Sequence, residues 1–184
     1  MTSRLPELGH IAMDRVMVAF AQARGAARHR IFASLTPLRF RDGAQETVRR
    51  GRRMRLQRVV GLDGREALYI LRFYLPRFLD LPFREKISTV LHELWHIHPS
   101  FNGDIRRFGG RCYAHSGSQK RYDAAMDQLT EKWLGLEPPR EVYEFLEHDY
   151  QTLLSRHGSV FGHRIAHPRF IPVDSDETAG PSRR

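Results

Sequence analysis

The residues best suited to chemistry are His92-Glu93-Leu94-Trp95-His96, a His-Glu-x-x-His pattern. On a helix, positions four apart lie about 40° apart around the axis, one turn above the other. Two imidazoles placed that way can share one metal ion. The histidine nitrogens and the pattern point to zinc, one ion per chain. Glu93 would sit beside them and accept a proton from a water activated by the metal. The competing reading is a helix carrying two surface histidines.

The flanking sequence must supply that helix. Ile87, Val90, Leu91, Leu94 and then Trp95 or Ile97 recur at helical spacing and form an apolar stripe. The stripe is expected to bury one side and leave His92, Glu93 and His96 to a cleft. Asp80-Leu81-Pro82 reads as the helix start, and Pro99 as its stop. Beyond Pro99, the glycines and polar residues of 100–111 predict a loop that returns the chain towards the metal.

Two histidines leave a zinc site incomplete. The expected third ligand is His115, nineteen residues after His96 and just ahead of a helix predicted from Gln119 to Trp133. Ligands at element ends are held firmly. The competitors are His98, which a continued helix would rotate away, and Asp123 and Asp127, one turn apart. Those two aspartates read better as a solvated face continued by Glu131. Three neutral imidazoles would leave zinc an open position, and peptide hydrolysis fits that arrangement. Tyr113, Tyr122 or a histidine of the tail could stabilise the oxyanion, and the sequence does not choose among them. Cys112 lies three residues before His115, but no pattern around it supports a nucleophile.

Other elements complete an α+β reading. Leu8, Ile11, Ala12, Val16, Ala19, Phe20 and Ala23 predict an N-terminal helix over residues 6–29. His10 and His29 read as surface residues. Residues 31–35 and 38–40 are short and partly alternating. Met54 to Val60, the turn signal Leu62-Asp63-Gly64-Arg65 and Ala67 to Leu75 predict a β-hairpin in a small twisted sheet. A further helix is expected from Pro138 to about His157, closed by Gly158, and then an extended segment to Val173. Residues 1–173 thus read as a single domain. The remaining residues, 174–184, read as a disordered polar tail.

Composition sets the class. The chain has 184 residues, 41% hydrophobic and 28% charged, which is globular. The longest apolar runs fall short of a membrane span, and the start has no apolar signal segment, so the expected location is cytoplasmic. One cysteine excludes an internal disulfide and a multi-cysteine zinc site. The net charge of +9 has a location: residues 24–72 hold 13 Arg against 4 Asp/Glu. The densest run holds Arg49, Arg50, Arg52, Arg53 and Arg55. Such a segment attracts polyanions, nucleic acid first among them, although strand alternation alone would also expose these arginines. A second function class follows. The chain could be a non-catalytic module that binds nucleic acid or a protein partner through an Arg-rich sheet.

The segment His92 to Ile97, with Phe101-Asn102-Gly103-Asp104, Arg107-Phe108-Gly109-Gly110 and His115 ahead of Tyr122-Asp123, resembles the phage-type metallopeptidases. These are small zincin-like proteins of bacteria, archaea and phages. The resemblance covers about residues 60–135. The arrangement is also similar to the SprT/Spartan-like zinc metalloproteases, in which a third histidine precedes a helix. The resemblance implies a zincin-like fold, zinc on His92, His96 and His115, Glu93 as catalytic base and a peptide or protein substrate. Here the loop is longer than in the Spartan type, and the cysteine zinc ribbon is absent.

Overall fold

The computed structural model describes residues 1–23, 31–107 and 119–173, the side chains of 119–122 excepted. Its strands are β1 (Val16–Gln22), β2 (Ala33–Pro37), β3 (Glu46–Arg49), β4 (Arg52–Leu56), β5 (Tyr69–Leu75) and β6 (Phe170–Pro172). Its helices are α1 (Phe83–Trp95), α2 (Gln119–Gly135) and α3 (Tyr150–His157). The α+β class holds. No helix among the described residues is long and apolar enough to cross a membrane.

The strands form two sheets rather than the one expected. The first has the order β1-β5-β2, with β1 parallel and β2 antiparallel to β5. The second has the order β3-β4-β6, antiparallel throughout.

Three expectations need correction. Over its described residues, 6–23, the expected N-terminal helix does not form. Residues Pro6–Leu8 and Met13–Arg15 make single 3-10 turns, and Val16–Gln22 is a strand. Val16 to Ala21 is apolar throughout although Val18 is exposed, and its buried residues Val16 and Ala19, three apart, mimic helical spacing. The Met54–Leu75 hairpin is also absent. Its turn forms, with the Gly61 N–H donating to Arg65 O at 2.8 Å. Above that turn the pairing ends with the Val60–Glu66 bridge and the Ala67 N–H to Val59 O bond, and β4 and β5 then enter different sheets. The hairpin that does form joins β3 and β4 through Arg50-Gly51, both at positive φ (49° and 75°), the signature of a two-residue type I′ turn. Finally, the helix expected from Pro138 is broken. Arg140–Val142 and Glu144–Glu147 are 3-10 turns, and α3 begins only at Tyr150, where the Asp149 carboxylate caps Thr152 N–H at 2.6 Å. Gly158 closes α3 at φ 73°, as expected.

The main core lies between the first sheet and the helices. Ile87, Leu91 and Leu94 of α1 pack there with Tyr69, Leu71 and Phe73 of β5, and with Met126, Leu129 and Trp133 of α2. Burying each such side chain is worth about 1.5–3 kcal/mol, so turning α1 about its axis would forfeit several of these at once. That fixes which face of α1 points outward. A smaller cluster of Ala19, Leu38, Ala67 and Ile70 covers the sheet's other face.

Candidate metal centre

Helix α1 runs from Phe83 to Trp95 and carries the first histidine within its last turn; His96 is its C-cap. The helix starts later than expected. Pro82 occupies the N-cap without a side-chain cap, and Asp80 instead accepts a bond from Tyr150 N–H. It also stops before Pro99 intervenes. His98 therefore never reaches a helical position. Its N–H bonds Asp104 O at 3.3 Å.

The two histidines meet as the spacing predicts. His92 Nε2 and His96 Nε2 are 3.0 Å apart, with the rings edge-to-face at 77°. Two nitrogens on one tetrahedral zinc stand about 3.3 Å apart, given Zn–N distances of about 2.0–2.1 Å. The pair is thus convergent to within a few tenths of an ångström. Both side chains are half-buried.

Glu93 departs from expectation. It was expected to face a cleft with the histidines, yet it is only 9% exposed. One residue beyond His92, it is turned by about 100°. Its carboxylate accepts a bond from the backbone N–H of Leu35 in β2. The strand pairing explains why that N–H is available. Tyr74 N–H donates to Phe32 O and Leu38 N–H to Leu68 O, so even-numbered residues of β2 pair with β5. Leu35 then points its backbone groups outward from the edge of the sheet. Burial pushes the Glu93 carboxyl up to about 7, against the smaller downward pull of the Leu35 bond.

The loop after α1 is built to return. Ile97 pairs with Ile105 in an antiparallel bridge, and Arg106 N–H donates to His96 O at 2.7 Å. The Arg106 guanidinium covers the Trp95 ring at 4.2 Å. Asp104, 2% exposed, is the hub. It accepts bonds from Asp42 N–H at 3.0 Å, from Ile105 N–H at 2.8 Å and from the Arg107 guanidinium at 2.8 Å. Tyr69 Oη receives Gly103 N–H at 2.9 Å and donates to Asp104 O at 2.8 Å. Gly103 sits at φ 89°, and a Cβ there would lie 2.4 Å from Arg39 Cγ, so glycine is required. His10, read from sequence as a surface residue, bonds the Ile97 carbonyl, and burial holds its pKa down. No signal in the sequence ties His10 to the motif, because the contact joins elements far apart in the chain.

His115, Tyr113 and Cys112 lie outside the described residues, as does the Tyr122 side chain, although Tyr122 is on α2. Among the described residues, no group of three metal-ligating side chains forms. Asp123 and Asp127 are both exposed. The Arg84–Glu131 ion pair shows α2 running antiparallel to α1, and Asp127 lines a recess of about 220 Å³ beside Ser88 and Thr89. An apolar cavity of about 830 Å³ lies elsewhere, lined by Val90, Leu94, Phe73, Trp133 and Phe145, and it holds none of the motif's polar residues. Comparison of the chain with protein-family models, curated proteins and solved structures returns no match.

Proposed function

We propose that the chain is a zinc-dependent hydrolase of the zincin type, acting on peptide bonds. One observation carries the reading: two imidazole nitrogens 3.0 Å apart on α1, with a buried carboxylate at the intervening position. The donor set suits zinc, with His92 and His96 as two ligands and His115 as the expected third. When bound, zinc would supply a Lewis acid and lower the pKa of its water towards about 7.

Glu93 is the general base. Burial pushes its carboxyl up to about 7 in the metal-free chain, and a zinc ion on the histidines would draw it back down, leaving a carboxylate able to accept a proton. It takes a proton from the attacking water and delivers it to the departing amine. The Leu35 N–H holds the carboxylate in place on the side of the sheet edge. The side chain of Tyr122, or that of Tyr113, remains the expected oxyanion donor.

Metal content and hydrolysis of an unfolded protein substrate test the reading together. The wild type should hold one zinc per chain. Glu93→Gln should keep the zinc and lose hydrolysis by at least about a hundredfold. His96→Ala and His115→Ala should lose zinc. Full zinc occupancy in His96→Ala would show that the site is elsewhere.

A further inference from the structure

The arginines expected to form one basic patch are split by strand alternation. On β4, Arg53 and Arg55 face one way, across from Glu46 of β3, and Arg53 Nε bonds the Glu46 carboxylate at 3.0 Å. Arg52 and Met54 face the other way. Arg49 of β3 is the direct cross-strand partner of Arg52, and Arg50 occupies the turn between them. Three guanidiniums therefore crowd one hairpin tip. All three are exposed, and none has an ion-pair partner among the described residues. Like charges directly opposite on a sheet destabilise it. The arrangement is relieved when an anion lies between them.

The same face carries an aromatic stack that the linear sequence conceals. Phe170 of β6, 40% exposed, is in this sheet more than a hundred residues after β3. The Arg49 guanidinium lies 4.5 Å from the Phe170 ring centroid, and Phe40 stacks on Phe170 at 5.9 Å and 29°. Arg49, Arg50, Arg52, Met54, Phe170 and Pro172 together line a recess of about 490 Å³. Guanidinium planes and aromatic rings interleaved on an open sheet are what unpaired bases stack upon, while neighbouring arginines hold the phosphates.

We infer that the β3-β4-β6 face binds single-stranded nucleic acid, with Arg49, Arg50 and Arg52 on the phosphate backbone and the Arg49–Phe170–Phe40 stack against the bases. A duplex would present its phosphates but keep its base faces covered, so the stack favours the single strand. The site shares no residue with His92–His96 and does not depend on how that motif acts.

Fluorescence anisotropy of a labelled 20-nucleotide oligo-dT, with a duplex of equal length beside it, tests this on the full chain between 50 and 200 mM salt. The single strand should bind more tightly than the duplex, with affinity falling as salt rises. Arg49→Ala/Arg52→Ala should weaken binding at least about tenfold and make the logarithmic salt slope shallower by about 1.4. Phe170→Ala should weaken binding about tenfold with the salt slope unchanged, and should have no effect on an abasic oligomer. Arg65→Ala removes an exposed arginine that is paired with Asp14 and should bind like the wild type. The inference is overturned if the oligomer fails to bind at 50 mM salt. Duplex binding that equals the single strand with Phe170→Ala silent, or capture of phosphatidylserine vesicles in place of the oligomer, would overturn it as well.

Discussion

At the scale of residues, the motif fixed its own spacing but not its surroundings. His92 and His96 meet because a helix brings positions four apart together, and that follows from sequence alone. The burial of Glu93 does not, because it depends on β2 passing over α1. This burial has a measurable consequence. The folded pKa of Glu93, about 7, lies above its ordinary 4.5. Between those values the folded chain holds a proton that the unfolded chain has lost. The stability of the metal-free protein therefore falls as pH rises from about 4.5 to about 7 and is flat above, by roughly 3 kcal/mol in all. Glu93→Gln removes that slope. Urea melts in excess chelator at pH 5 and pH 8 should show the wild type less stable at pH 8, with Glu93→Gln changed far less. Parallel pH dependence in both proteins would mean that Glu93 is hydrated rather than buried.

At the scale of elements, legibility followed periodicity. Helix α1 was readable because one face is buried and one is not. Strand β1 was not, because Val16 to Ala21 is apolar throughout, the exposed Val18 included, and shows no alternation. The β3–β4 hairpin was hidden by its turn, since arginine is not the residue that usually marks a left-handed turn position. The return loop was readable as a loop from its glycines, but its internal order was not, because its main support comes from a distant strand. Tyr69 of β5 holds both Gly103 N–H and Asp104 O. Tyr69→Phe should keep the ring against Phe101, 5.4 Å away, and leave Gly103 N–H without its partner and Asp104 O with the longer His98 N–H bond. The expected cost is about 1–3 kcal/mol. Calorimetry should record a lower Tm, and competition with a chelator should record weaker zinc binding, since the loop's Arg106 N–H braces His96 O. An unchanged Tm would remove Tyr69 from the support of the site.

At the scale of the whole molecule, the two sheets are tied by the segment that follows α3. Phe20 N–H of β1 donates to His163 O at 2.8 Å, so this segment takes up one outward N–H on the β1 edge of the first sheet. Arg72, buried at the centre of β5, donates to Ile165 O at 3.0 Å and reaches His167. The same segment then becomes β6 and completes the second sheet. Its passage over β1 depends on Gly162, where a Cβ would lie 1.6 Å from Phe20 Cδ2, an aromatic ring with little room to move. Gly162→Ala should therefore lift the segment from β1, at a cost of about 1–3 kcal/mol. Because β6 supplies Phe170, oligo-dT binding should fall along with Tm. On the proposed zinc reading, metal content should match the wild type, because α1 and its histidines draw on the main core instead. Limited proteolysis should find new cleavage between Gly158 and Phe170. Loss of zinc together with oligonucleotide binding would show that the two sites share one support, whereas an unaltered Tm would mean that Phe20 yields and the tie is loose.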